Sequence, residues 1–172
     1  MQKILIVVDM QNDFISGALG TKEAEAIVDK VKNKIEAFSG KIIFTRDTHQ
    51  NDYLTTNEGK HLPVPHCIQG TQGWEIHPAL SCLSCDAIID KPTFGSLDLV
   101  DMMQKENQAE PIETITLVGL CTDICVISNA MLLKAAFPEV PITVYSSCSA
   151  GVTVESHNTA LNAMKAVQIE II

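Results

Sequence analysis

The chain has 172 residues, 46% apolar and 19% charged, a balance that excludes a disordered or fibrous protein and fits one core of the usual ~100 to 200 residues. Asp and Glu outnumber Lys and Arg by 21 to 12, giving a formal charge of -9, the wrong sign for a general binder of phosphate backbones or anionic membranes. A single domain over residues 1–172, without nucleic-acid or membrane partners, is the expectation.

The first element is the apolar run Ile4 to Val8, strand-sized and far short of the ~20 residues that cross a bilayer. Met1-Gln2-Lys3 leads straight into it and Asp9 follows, with no small-residue cleavage site, so this end does not read as a signal peptide. A cytoplasmic location is expected, and the six cysteines then read as reduced thiols rather than a disulfide framework. Ala24, Ile27, Val28, Val31, Ile35 and Phe38 recur at helical spacing, with Thr21 placed to cap this helix and Gly40 to stop it. Lys41 to Thr45 is a second strand, completing a βαβ unit. The stretch from Thr45 to Pro78 is rich in His, Pro, Gly, Asn and Thr without a clear period; loops of that length are usually functional, and an active-site wall is expected there. Further strands are predicted at Ala87 to Ile89, Thr114 to Val118, Ile142 to Tyr145 and Val167 to Ile171, with helices at Asp123 to Phe137 and Ser156 to Ala166. Strands apolar on both faces alternating with helices predict a three-layer α/β/α fold with a mostly parallel, Rossmann-like central sheet.

In such a sheet ligands bind beyond the carboxyl ends of the strands. The polar residues there are Asp9, then Asp47 and His49, then Asp90 and Lys91, then Gly119 to Cys125. Each has an ordinary reading: Asp9 as a strand-capping carboxylate, Lys91 as a solvated charge partnered by Asp90, Cys125 as an inert buried thiol. Together they are the nucleophile, base and cation of covalent acyl transfer. A helix N-terminus and a nearby cation would both favour a thiolate at Cys125.

Five fragments in order carry a family resemblance: Asp9-Met10-Gln11-Asn12-Asp13-Phe14, Thr45-Arg46-Asp47-Thr48-His49, His66-Cys67-Ile68-Gln69-Gly70-Thr71, Asp90-Lys91-Pro92-Thr93-Phe94-Gly95-Ser96 and Gly119-Leu120-Cys121-Thr122-Asp123-Ile124-Cys125-Val126. They resemble the signatures of the isochorismatase-like cysteine hydrolases over nearly the whole chain, and most of all the nicotinamidase branch. The resemblance implies Cys125 as nucleophile, Asp9 as the base that takes its proton and Lys91 as their electrostatic partner. It places the oxyanion donors on the backbone N–H groups of Cys121 and Cys125, with a cis peptide between Leu120 and Cys121. The implied reaction is hydrolysis of nicotinamide to nicotinate and ammonia through a thioester, feeding NAD salvage, by a homo-oligomer whose partner is a small-molecule amide.

The resemblance also implies a metal. Asp47 and His49 alternate on an extended segment and can point the same way, and His66 follows in the long loop; carboxylate and imidazole together suit zinc, iron or manganese, with zinc first. Tyr53-Leu54-Thr55-Thr56 stands where many nicotinamidases carry a further His. A minority pattern supplies Glu instead, and Glu58 ahead of Pro63-Val64-Pro65-His66 resembles it, with His61 a rival. Relatives present an aromatic face to the substrate ring at the place of Phe14; Trp74, the only tryptophan, either lines the same pocket or pins the loop. Cys82 and Cys85 have redox or zinc spacing but no second pair, and read as incidental thiols, as do Cys67 and Cys148; His157 reads as a capping or packing residue. Competing readings are a carbamoyl or aliphatic amide hydrolase of the same superfamily, an isochorismate hydrolase, and a non-catalytic binding protein, which would lack one of Asp9, Lys91 or Cys125.

Overall fold

A computed structural model describes residues 1–172 and shows a sheet of six strands in the order β3-β2-β1-β4-β5-β6, every pairing parallel. The strands are β1 (Gln2–Val8), β2 (Lys41–Asp47), β3 (Ala87–Lys91), β4 (Ile112–Leu120), β5 (Ile142–Ala150) and β6 (Glu170–Ile171). Side chains alternate across a strand, so β1 feeds two cores. Ile4, Ile6 and Val8 pack on one face with Leu99, Met103, Val126, Leu133, Leu161 and Met164, and Leu5 and Val7 pack on the other with Ala24, Ile27, Val31 and Ile35. The first core is covered by α5 (Leu97–Ala109), α6 (Ile127–Ala136) and α7 (Val154–Ala166), the second by α2 (Lys22–Glu36), flanked by the short helices α1 (Asn12–Ile15) and α4 (Pro78–Ser81). The predicted three layers are thus present. No helix is long and apolar enough to cross a membrane.

Several predicted elements change in detail. Helix α2 starts where its cap predicts, with Thr21 Oγ1 accepting from the Ala24 N–H at 3.0 Å. Helix α5 went unread, because its inward residues Leu99 and Met103 are diluted among Asp98, Asp101, Gln104, Lys105 and Glu106. The single helix expected from Asp123 is a π-helical turn, Thr122–Val126, followed by α6; such wide turns often mark functional sites. The segment from Thr45 to Pro78 is not structureless: it holds a 3-10 turn (Tyr53–Thr55) and α3 (Asn57–His61), both too short to show a period. Strand β3 runs on through Asp90 and Lys91, and β6 is shorter than expected.

The strand order reverses between β1 and β4, which opens a crevice at their carboxyl ends. There Asp9 adopts φ +47 and Gly119 φ +115. A Cβ on Gly119 would lie 2.1 Å from the Val8 carbonyl oxygen, so only glycine lets the two strand ends approach. Gly119→Ala should lower unfolding free energy by at least about 2 kcal/mol in a urea titration; an unchanged midpoint would mean that the strands can separate there at no cost.

Candidate active site

The ends of β1, β2, β3 and β4 meet around one ammonium group. Lys91 Nζ lies 2.7 Å from Asp9 Oδ2 and 3.5 Å from Asp47 Oδ1, and donates to the Thr93 carbonyl at 3.0 Å and toward Cys125 Sγ at 3.4 Å. Asp9 Oδ1 accepts from Thr45 Oγ1 at 2.6 Å. Asp9 and Lys91 are both fully buried, and Cys125 nearly so. The reading of Lys91 as a solvated charge beside Asp90 is therefore overturned, and pleat explains why. Neighbours in a strand face opposite ways, so Asp90 turns outward to Arg46, its register partner, at 2.6 Å, while Lys91, opposite Asp47, turns in.

Burial raises the Asp9 carboxyl against the pull of Lys91. It raises the Cys125 thiol well above its usual value, with Asp9 adding to the rise and Lys91 opposing it. Lys91 itself is held above its ordinary value, because Asp9, Cys125 and Asp47 together outweigh its burial. At neutral pH Lys91 is thus an ammonium and Cys125 a protonated thiol. Desolvation outweighs the cation expected to favour a thiolate, so Cys125 needs a base to release its proton, the role that the family resemblance implies for Asp9.

Asp47 also looks the other way. Its Oδ2 lies 2.9 Å from His49 Nε2 and 3.5 Å from His66 Nε2, while Glu58 Oε1 lies 3.5 Å and 3.7 Å from the same nitrogens. One atom from each of these four residues falls within 4.8 Å of every other. Ligand atoms about 2.0–2.2 Å from a tetrahedral ion stand about 3.3–3.6 Å apart, so the spacing fits. His66 Nδ1 is 2.8 Å from the Val64 carbonyl, which fixes the tautomer and turns the Nε2 lone pair inward. The buried His49 Nε2 is near Asp47 but not aligned with it, and has no hydrogen-bond partner. Without an ion, burial lowers the His49 imidazolium, but Asp47 and Glu58 more than offset this and push it up to about 9. Two imidazoles and two carboxylates suit a divalent transition ion. His61 stays outside the cluster, exposed, with Nδ1 2.8 Å from the Asn57 carbonyl.

A cavity of about 810 Å³ opens above both groups. Cys121, Cys125, Asp47, Glu58 and His66 reach its wall, with Phe14, Leu19, Leu62, Phe94, Ile124 and Val152 supplying apolar surface and no Lys or Arg among its lining residues. Phe14 lines it, its ring 5.5 Å from that of His66. Trp74 does not: its Nε1 donates to Thr48 Oγ1 at 2.8 Å and its ring lies under Arg46 at 3.7 Å. Of the two roles expected for Trp74, substrate-pocket wall or loop anchor, the structure therefore shows the second and corrects the first. The Leu120–Cys121 peptide is cis, and burial followed by Asp123 pushes the Cys121 thiol up to about 12. Cys82 and Cys85 are exposed and outside the cavity, and Cys67 and Cys148 are buried. His157 packs as expected, its Nδ1 2.8 Å from Thr122 Oγ1.

Sequence reasoning missed the side chains that brace these groups. Gln11 is fully buried, donates to the carbonyls of Asp47 and Trp74 at 2.8 Å each, and accepts from the Asp47 N–H at 2.7 Å. Tyr53 closes the metal-ligand cluster from behind, its ring 4.6 Å from His49 and 5.0 Å from His66. An amide just after a strand and an aromatic before a cluster of polar residues carry no local pattern; only the place of Gln11 in the first family fragment pointed to it.

A family model for the isochorismatase domain matches residues 3–172, and the chain belongs to that family. It is 26% identical over 186 residues to the nicotinamidase/pyrazinamidase of Mycobacterium tuberculosis, covering 99% of this chain and 98% of that protein. Among solved structures it is similar to a pyrazinamidase of Pyrococcus horikoshii in complex with zinc, with TM-score 0.83, 26% identity and coverage of 100% and 99% of the two chains. It is also similar to a nicotinamidase/pyrazinamidase of Bacillus subtilis, with TM-score 0.85, 28% identity and 99% of each chain covered.

Removing the central cation should be costly. Lys91→Met leaves Asp9 and Asp47 facing one another unpaired, and should lose about 3–5 kcal/mol of unfolding free energy by chemical denaturation at neutral pH. A loss below about 1 kcal/mol would rank the pair with surface ion pairs.

Proposed function

We propose that the chain, working as one domain, hydrolyses a small neutral aromatic carboxamide, nicotinamide before others, to its acid and ammonia. The observation that carries this reading is Lys91 Nζ placed 2.7 Å from Asp9 and 3.4 Å from Cys125 at the floor of an apolar cavity without a lining cation. In the proposed cycle the Asp9 carboxylate takes the Sγ–H proton of Cys125, and the sulfur attacks the carboxamide carbon. Lys91 stays charged throughout and holds both partners. The backbone N–H groups of Cys121 and Cys125 stabilise the oxyanion, a donor of this kind contributing about 3 kcal/mol. Asp9 returns its proton to the leaving nitrogen, ammonia departs, and the thioester remains. Asp9 then takes a proton from water as it attacks, and Cys125 regains one as the acid leaves. The raised carboxyl of Asp9 makes it a stronger base than a solvent-exposed carboxylate.

Asp47, His49, Glu58 and His66 would hold a divalent ion, and both this donor set and the zinc of the Pyrococcus relative favour zinc. When bound it supplies a Lewis-acid anchor for a ring nitrogen, while Phe14 offers the ring an apolar face. A carbamoyl acid or isochorismate fits less well, because outside the proposed ion site the cavity wall is largely apolar and offers a carboxylate no Lys or Arg. A purely binding role leaves the intact set of Asp9, Lys91 and Cys125 without a purpose.

Ammonia release from a panel of amides tests the reading. Cys125→Ala should abolish turnover of nicotinamide while Cys121→Ala keeps a measurable rate; equal loss in both folded variants would reassign the nucleophile. Metal content should fall in His49→Ala by elemental analysis. Chelation should impair nicotinamide far more than benzamide, which has no ring nitrogen, and an unchanged nicotinamide rate would refute the orienting role.

A further inference from the structure

Asn129 lies on α6, four residues beyond Cys125, and is completely buried. Its Nδ2 donates to the Cys125 carbonyl at 2.8 Å and the Phe94 carbonyl at 3.1 Å, and its Oδ1 accepts from the Ser96 N–H at 2.9 Å. The two segments joined in this way carry the two atoms whose separation governs the site. Pro92 to Ser96 follow directly on Lys91, whose Nζ donates back into that loop at Thr93. On the other side the bonded carbonyl belongs to the nucleophile residue itself.

The sheet provides no short path between these segments. Strand β3, which ends at Lys91, is an edge strand, and β2 and β1 stand between it and β4, which leads to Cys125. Through the sheet, the distance from Lys91 to Cys125 is set across three strand pairings and their twist. Asn129 spans it with one rigid amide. The approach is close: a Cβ on Gly95 would lie 2.7 Å from Leu132 Cδ1.

We propose that Asn129 is a positioning residue for hydrolysis, its amide bolting the Phe94–Ser96 loop to the Cys125 turn and so holding the Lys91 ammonium 3.4 Å from the sulfur. This rests on Cys125 being the nucleophile, as proposed above. Asn129 acts through other groups and touches no reacting atom. Replacing it with Leu keeps the volume but leaves two carbonyls and an N–H buried without these partners, so loop and turn draw apart. The ammonium then supports the thiolate less, and misplacements of about 1 Å at such sites can cost about 100-fold.

The test follows alkylation of Cys125 by iodoacetamide at neutral pH in the full chain, read by peptide mass spectrometry and divided by the rate at the exposed Cys82 of the same molecules. Asn129→Leu lowers the melting temperature, so measurements are made well below its transition. Asn129→Ser is the second variant, whose hydroxyl reaches the carbonyl one turn back but neither Phe94 nor Ser96. The expected result is a ratio about tenfold or more below wild type in Asn129→Leu, and a smaller loss in Asn129→Ser. Amide turnover should fall in kcat with KM within about twofold. A merely structural role would leave the Cys125 ratio of folded molecules unchanged, or raise it through fraying. Either result in folded Asn129→Leu, or in Asn129→Ser should the first not fold, overturns the proposal. If the wild type released no ammonia from any amide, the proposed function would fail while the alkylation ratio still decided the role of Asn129.

Discussion

A fully buried ammonium is the constraint on which the rest of this structure depends. Taking a lysine out of water costs several kcal/mol even after relaxation, and Lys91 is tolerable only because Asp9, Asp47 and the Thr93 carbonyl surround it. Those partners come from three different strand ends or the loop just beyond, so the charge can be satisfied only when the sheet has its full order and register. Asp47 is then committed on both sides, with Oδ1 toward Lys91 and Oδ2 toward the two imidazoles. The proposed catalytic and metal groups therefore share a carboxylate. Gln11 holds that residue by its backbone at both N–H and carbonyl, which keeps the shared side chain from swinging wholly to either side.

The fold supplies this arrangement because all strands run parallel and their carboxyl ends lie on one edge. Reversal of the order between β1 and β4 parts the covering helices there, and the crevice receives Asp9 from one strand and the Cys125 turn from the other. Backbone cost is concentrated at the same place. Asp9, with a side chain, sits at φ +47, a conformation that costs of order 1–3 kcal/mol and persists only where surroundings over-determine it. Its bonds to Thr45 and Lys91 are those surroundings.

Much of this was legible in the sequence, and the parts that were not have a common cause. Unbroken apolar runs announce β1 and β2, so Asp9 and Asp47 could be placed at strand ends; the helical period of Ala24 to Ile35 gave α2 and its cap. Glu58 emerged only through a family pattern, since nothing local distinguishes it from His61 until α3 turns one inward and leaves the other in solvent. Lys91 looked solvated because its burial depends on β2 beside it, not on its own neighbours. The cation that favours a thiolate at Cys125 is visible in the sequence order of motifs, whereas the desolvation that opposes it is a property of the assembled core. Trp74, Gln11 and Asn129 each act through partners tens of residues away, and short-range periodicity cannot register that.

The same electrostatics bear on turnover in the proposed reaction. A neutral amide enters a cavity walled by apolar side chains without displacing an ion, and the charge it meets at the floor is already paired. Hydrolysis converts it into a carboxylate beside Asp9 and Asp47, while Lys91, the cation at hand, is shared between those two residues and has little charge left to offer. An anion so placed keeps the backbone N–H groups proposed as oxyanion donors, but it faces two carboxylates without gaining an unpaired cation, and that repulsion costs free energy unless it is relieved. Release of the acid to water relieves it. The buried pairing that makes Lys91 tolerable therefore also disfavours retention of the product carboxylate at the Cys125 end of the cavity, away from the ion proposed at Asp47, His49, Glu58 and His66.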